Sequence, residues 1–197
     1  MADLDLILSI EADDIKKYNT LLEKMKHDAN YPTSQETIEF MARVLIKNLI
    51  KTKDRDRLFE TRSLIIKKLE MNERELSKET YGLIDTLKQK IIEIKDYEGF
   101  IYLYMVAAVL YYRTMDYVNL FELSKTALEL ENENVFDDKT KKLYRMFFSD
   151  IKRHNKSAKA FFDSLKNKDN ESLEKLESFK ATFDEAKVIY YAILNID

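Results

Sequence analysis

The stretch FIYLYMVAAVLYY, residues 100–112, decides the fold of this chain. No charged residue interrupts it, and its apolar side chains point in every direction when it is drawn as a helix. A helix that is apolar all round is buried at the centre of a protein. The run is well short of the roughly 20 apolar residues that cross a bilayer. We therefore expect the central helix of a water-soluble protein here, with other helices packed around it.

The composition outside this stretch excludes most other fold classes. The chain has 197 residues, with only 2 Gly and 1 Pro and no Cys. Sheet proteins need Gly, Asn and Pro at their turns, so all-β and doubly wound folds are excluded. The two isolated glycines exclude a glycine-rich phosphate loop. Lack of cysteine excludes disulfide scaffolds and fits a reducing compartment, and acidic Asp3 and Asp5 are unlike a signal peptide, so we expect a cytoplasmic protein.

Helical periodicity extends along almost the whole chain and predicts nine helices. Gly82 lies inside the fourth and predicts close packing there, because glycine costs about 1 kcal/mol in a helix relative to alanine. No stretch looks like a flexible linker, so we expect residues 1–197 to form one all-α domain of antiparallel helices. The predicted helices cover residues 3–11, 13–27, 34–70, 75–95, 100–112, 116–131, 139–152, about 158–165, and 173–194.

Four fragments of the chain are similar, in order, to parts of the 14-3-3 family. They are YNTLLEKMK at 18–26, SQETIEFMARVLIKN at 34–48, IYLYMVAAVLYYR at 101–113 and FFSDI at 147–151. The resemblance implies a nine-helix array, related to tetratricopeptide arrays, with a concave groove. It also implies a non-enzymatic adapter that binds phosphoserine or phosphothreonine segments of client proteins, without a cofactor.

The resemblance also implies which residues would hold the phosphorylated segment. A phosphate carries a charge of about −1.5 to −2 and needs converging cations, preferably arginine for its two-pronged donor geometry. The family's lysine of helix 3 corresponds to Lys47, and its arginine of helix 5 corresponds to Arg113. A helix 7 acid that accepts hydrogen bonds from the client backbone corresponds to Asp150. Each residue also has an ordinary interpretation, as a solvated lysine, a ligand of helix-end carbonyls and a surface acid.

The second basic residue of the family's helix 3 is replaced here by Asp54, which would repel a phosphate. An offset of two residues within the charged segment 51–57 brings Arg55 or Arg57 to that face, and we take Arg55 as the candidate. Three further family positions are altered, because a tyrosine, a groove lysine and a peptide-binding asparagine correspond to Thr114, Val106 and Leu143.

The family forms dimers, and the resemblance therefore implies a homodimer through helices 1–4. Lys17 and Tyr81 correspond to two of its interface residues. The net charge of −3 with interspersed signs favours neither nucleic acid nor membrane as a partner. The two histidines, His27 and His154, both fall at predicted polar helix ends, which leaves little material for a histidine-based catalytic or metal site.

A second hypothesis is a tetratricopeptide-like scaffold that binds unphosphorylated protein partners. Small Ala107, Ala108 and Ala127 stand beside large aromatic residues, as in a helical hairpin repeat. A true repeat recurs about every 34 residues, and no second copy is found. The charged segment 51–57 discriminates between the hypotheses. A cation there facing Arg113 favours phosphate binding, whereas Asp54 in that place favours the scaffold.

Overall fold

The computed structural model describes residues 4–28, 30–68 and 75–166, of which 83% are helical and none is in a strand. The all-α prediction is confirmed. Eight helices, rather than nine, occur in the described ranges, and the predicted helix at 173–194 lies outside them. The helices are α1 (Leu4–Ile7), α2 (Ala12–His27), α3 (Gln35–Thr52), α4 (Arg55–Lys68), α5 (Lys78–Glu93), α6 (Tyr97–Arg113), α7 (Tyr117–Asn132) and α8 (Asp138–Lys166).

Helix α6 is the centre of the fold, as the sequence predicted. Every residue from 99 to 111 is buried, and the helix packs against α3, α4, α5, α7 and α8. It begins at Asp96, whose side chain accepts a hydrogen bond from the Gly99 backbone N–H at 3.0 Å. A Cβ atom at Gly99 would overlap that carboxylate, so glycine allows the cap to form.

The predicted helix at 34–70 is in fact two helices, and the prediction of one long helix was wrong. Helix α3 ends at Lys53, which has a left-handed backbone conformation with φ of 55°. Asp54 then accepts a hydrogen bond from the Arg57 backbone N–H at 3.1 Å and starts α4. Asp54 therefore caps a helix instead of facing a ligand, and the chain reverses direction at this point.

Because of this reversal, α4 lies across α6 and reaches α8. The Phe59 and Phe147 rings stack with their centroids 5.6 Å apart. Arg62 donates from Nε to the Met105 carbonyl oxygen at 3.0 Å. Helix α4 therefore covers the side of α6 that lies between α3 and α8.

The predicted break at residues 153–155 is also wrong, because α8 continues without interruption. His154 is only 2% exposed, and its Nδ1 atom lies 2.9 Å from the Tyr104 hydroxyl oxygen of α6. Asn155 donates to the Ser124 hydroxyl of α7 at 3.1 Å. These polar side chains have buried partners on other helices, so they do not mark a helix end.

Gly82 does not have the close neighbours that the sequence predicted. It is exposed on α5, and a Cβ atom added there would meet nothing within 4 Å. Packing against the described residues therefore does not require a glycine at this position. Among the described residues, no helix combines the length and the apolar character needed to cross a bilayer.

Candidate functional site

A groove of about 370 Å³ lies where the α1–α2 connection, α2, α3 and α5 meet, and we call it the amphipathic groove. It includes Lys47, one of the residues predicted to hold phosphate. Its apolar lining residues are Ile10, Phe40, Val44 and Leu83. Its charged lining residues are Asp14, Lys17, Arg43, Lys47 and Glu79. Three cations and two acids thus surround an apolar surface.

The three cations converge because α2 and α3 form an antiparallel hairpin. Arg43 and Lys47 are one turn apart on α3 and therefore share a face. The Lys17 ammonium group of α2 lies 4.4 Å from the centroid of the Phe40 ring. Lys47 donates from Nζ to the Ser9 carbonyl oxygen at 3.1 Å, which places its charge at the edge of the groove.

Arg43 is held by α5 in a defined orientation. Its Nη1 atom donates to the Thr80 hydroxyl at 2.9 Å, and its Nη2 atom lies 3.2 Å from a Glu79 carboxylate oxygen. A guanidinium has five N–H donors, so these two contacts leave further donors for a ligand. Arg43 was not among the residues predicted from the sequence, although its four-residue spacing from Lys47 was a signal for it.

Glu39 of α3 holds the start of α5 in place beside Arg43. It is 3% exposed and accepts hydrogen bonds from the Ser77 backbone N–H, the Ser77 hydroxyl and the Thr80 hydroxyl, at 2.9, 2.6 and 2.7 Å. Burial by itself would raise the pKa of Glu39, but these bonds and one from Gln35 lower it below its ordinary value. The ionised carboxylate therefore fixes the start of α5 against α3.

The other three predicted site residues lie elsewhere. Arg55 faces α8, with Nη1 3.9 Å from the sulfur of Met146. Arg113 is half-buried in the last turn of α6, and its side chain makes no hydrogen bond or ion pair with a described residue. Asp150 forms ion pairs with Arg62 and Arg153. No hydrogen bond or ion pair between described side chains joins any two of the four predicted residues.

Asp150 belongs to a cluster formed by α4, α6 and α8. Its carboxylate lies 3.4 Å from Nη2 of Arg62 and 2.8 Å from Nη2 of Arg153. Beside it, His154 contacts Tyr104, and burial together with the Arg153 charge lowers the pKa of His154 to about 4. His154 was predicted at a polar helix end, but its helical spacing from Phe147, Ile151 and Ala158 indicates a buried stripe.

The three residues that depart from the 14-3-3 pattern, Thr114, Val106 and Leu143, are buried in the described structure. Thr114 is 1% exposed, and its hydroxyl donates to the Leu110 carbonyl oxygen of its own helix at 2.9 Å. Val106 and Leu143 belong to the main hydrophobic core. None of the three side chains faces a surface on which a peptide could lie.

The two residues predicted at a dimer interface have different surroundings. Lys17 lies in the amphipathic groove. Tyr81 donates its hydroxyl to a carboxylate oxygen of Asp116 at 2.7 Å, and its ring stacks on Tyr111 with a centroid distance of 6.0 Å. Its polar end is therefore used within the chain.

No known protein family, no curated protein and no solved structure matches this chain. Within residues 4–28, 30–68 and 75–166, no group of three or more His, Asp or Glu side chains is placed to hold a metal ion.

Proposed function

We propose that this chain is a divergent 14-3-3-like adapter that binds phosphoserine- or phosphothreonine-containing segments of client proteins and catalyses no reaction. The supporting observation is the convergence of Lys17, Arg43 and Lys47 around one apolar groove. We also propose a cytoplasmic location, which fits a chain without cysteine.

The chemistry of the groove suits an esterified phosphate. The Lys47 ammonium group has three N–H donors and uses one on the Ser9 carbonyl, so two remain for phosphate oxygens. Arg43 presents a preoriented guanidinium one turn away, and charge-assisted hydrogen bonds of this kind are about twice as strong as neutral ones. The apolar side chains of Phe40 and Val44 would receive an apolar residue that flanks the phosphorylated one.

Of the four residues predicted from the sequence, Lys47 alone lines this groove, and Arg43 and Lys17 are its other cations. Helix α4 packs against α6. The Arg62 guanidinium in that region already donates to the Met105 carbonyl and to Asp150. Arg55, Arg113 and Asp150 therefore do not belong to the proposed phosphate site.

A fluorescence-polarisation titration with paired peptides tests the proposal. A set of labelled serine peptides with varied apolar flanking residues is compared with the same peptides carrying phosphoserine. We expect the phosphorylated forms to bind at least about tenfold more tightly, since a phosphate contacting two cations contributes more than 1.4 kcal/mol. Higher salt should reduce this preference, because the cations are partly exposed.

The scaffold hypothesis remains the second candidate, and one observation favours it. The acids Asp14 and Glu79 line the same groove, and Glu79 already pairs with Arg43. A groove with both signs of charge suits an unmodified amphipathic helix. Equal binding of phosphorylated and unphosphorylated peptides would favour this second function over the first.

We retain the homodimer as part of the proposal, with Lys17 at its interface and Tyr81 excluded because its hydroxyl bonds to Asp116. Lys17 also lines the amphipathic groove, so dimer formation and client binding would compete. Sedimentation velocity over a range of protein concentrations, with and without a bound phosphopeptide, measures both. A monomer at all concentrations would remove the dimer and leave the groove proposal unchanged.

A further inference from the structure

A second cavity, of about 350 Å³, lies between the end of α7 and the first half of α8, and we call it the aromatic pocket. It shares no residue with the amphipathic groove. Three aromatic side chains line it, Phe136, Tyr144 and Phe148. The Phe136 and Tyr144 centroids are 5.2 Å apart, and those of Tyr144 and Phe148 are 5.6 Å apart. These distances are typical of a packed aromatic cluster.

Two cations at the edge of this pocket have no charged partner in the described structure. Lys141 and Arg145 are one turn apart on α8, so they share the face of the helix that also carries Tyr144 and Phe148. Neither side chain forms an ion pair with a residue that the structure describes. The one acid lining the pocket is Glu131, so the lining carries a net charge of +1.

The volume and the lining together define a class of ligand. Small-molecule sites are concave, mostly apolar, and contain a few polar groups that fix orientation, with volumes from about 300 Å³. Aromatic rings bind a flat ring by stacking or edge contact. An arginine binds a carboxylate through two parallel hydrogen bonds. The excess of one positive charge matches a single carboxylate.

We propose that the aromatic pocket binds a small aromatic carboxylate, with its ring against Phe148, the most exposed of the three aromatic side chains, and its carboxylate between Lys141 and Arg145. This site is independent of the amphipathic groove. It gives the chain a small-molecule ligand in addition to a client peptide.

The experiment is a ligand-observed NMR titration of the full chain with phenylacetate. Phenylacetamide has the same shape without the charge, and acetate has the charge without the ring. We expect phenylacetate to bind with a Kd at least about tenfold lower than either compound, because ring and carboxylate each contribute.

Three charge variants locate the binding site. Arg145→Gln should weaken phenylacetate binding about tenfold and leave phenylacetamide binding unchanged. Glu131→Gln should tighten phenylacetate binding by about twofold to fourfold, since a repelling charge is removed. Lys142→Gln is the matched control, because Lys142 is exposed, lies next in sequence to Lys141 and does not line the pocket. It changes the net charge as Arg145→Gln does and should leave the Kd unchanged.

The three substituted residues are exposed, so the substitutions should not disturb the fold. Far-ultraviolet circular dichroism should therefore show the wild-type helix content. Absence of phenylacetate binding in the millimolar range would overturn the proposal. So would equal affinities for phenylacetate and phenylacetamide, or equal losses in Arg145→Gln and Lys142→Gln. The peptide titration of the amphipathic groove does not depend on any of these results.

Discussion

Lys53 ends α3 in a left-handed conformation, and its ammonium group lies 2.5 Å from the carboxylate of Asp96, the residue that caps α6. The pair joins the reversal between α3 and α4 to the start of the central helix. The same region is held by the Tyr102 hydroxyl, which donates to the Lys53 carbonyl oxygen at 3.0 Å. One carboxylate thus serves as helix cap and as partner of a cation.

Two substitutions of Asp96 should destabilise the fold by different amounts. Asp96→Asn keeps an oxygen that can cap α6 but loses the charge pair with Lys53, and should lower the free energy of unfolding by about 0.5–1 kcal/mol. Asp96→Ala loses both and should lower it by about 1–3 kcal/mol. Urea denaturation followed by circular dichroism measures both values. Equal losses in the two variants would show that the cap contributes nothing.

The buried His154 should make stability depend on pH. Its pKa in the folded protein is about 4, below the ordinary value of 6.5, because of burial and the nearby Arg153 charge. The unfolded chain therefore takes up the proton first as pH falls. The contribution is fully present above about pH 6.5 and is lost between about pH 6.5 and 4, where the free energy of unfolding falls by about 3 kcal/mol.

The control for this effect is His154→Gln, which retains a hydrogen-bonding side chain near Tyr104 but does not titrate. Urea denaturation of both proteins at several pH values isolates the histidine contribution from that of the acidic groups. The difference in stability between wild type and variant should shrink as pH falls. A difference that does not change with pH would contradict the assignment of a neutral buried imidazole.

Gly82→Ala should stabilise the chain. Gly82 is a solvent-exposed residue of α5, and a new Cβ atom there would meet no described atom within 4 Å. The free energy of unfolding should therefore rise by the helix-propensity difference of about 1 kcal/mol. Thermal denaturation at low protein concentration measures the change. A loss of stability that appears only at concentrations where the chain dimerises would instead indicate that a second copy packs closely against Gly82.

Tyr144→Phe should leave stability unchanged or raise it by up to about 1 kcal/mol. Tyr144 is 3% exposed, and its hydroxyl has no hydrogen-bond partner in the described structure. Burial raises the pKa of this hydroxyl to about 12, with a smaller effect from Glu131. Removing an unpaired buried hydroxyl while keeping the ring avoids its desolvation cost. A loss above 1 kcal/mol in urea denaturation would mean that the hydroxyl has a partner.

The central helix could be predicted from sequence because its own composition indicates that it is buried. Residues 100–112 contain no charged side chain, so no polar face is available to lie towards water. The reversal at Lys53 could not be predicted in this way. A non-glycine residue with positive φ depends on its tertiary partners, and the partner Asp96 is 43 residues away in sequence.

The same reason explains the errors at the predicted sites. The polar residues 153–155 are, by themselves, typical of a helix end. The last two of them can be buried in the structure because Tyr104 and Ser124 contact them from other helices. The spacing of Arg43 and Lys47 was visible in the sequence. Their combination with Lys17 depends on how the α2–α3 hairpin packs, and a local pattern does not contain that information.

The most direct test of the groove proposal is the phosphopeptide Kd of Lys47→Ala, measured by fluorescence polarisation beside that of Arg113→Ala. Both variants remove one cation, and both side chains are partly exposed, so they are matched for charge. We expect Lys47→Ala to weaken phosphopeptide binding by about tenfold and to leave the weaker binding of the unphosphorylated peptide unchanged. Arg113→Ala should match the wild type. Unchanged affinity in Lys47→Ala, or a loss confined to Arg113→Ala, would contradict phosphate binding in the amphipathic groove.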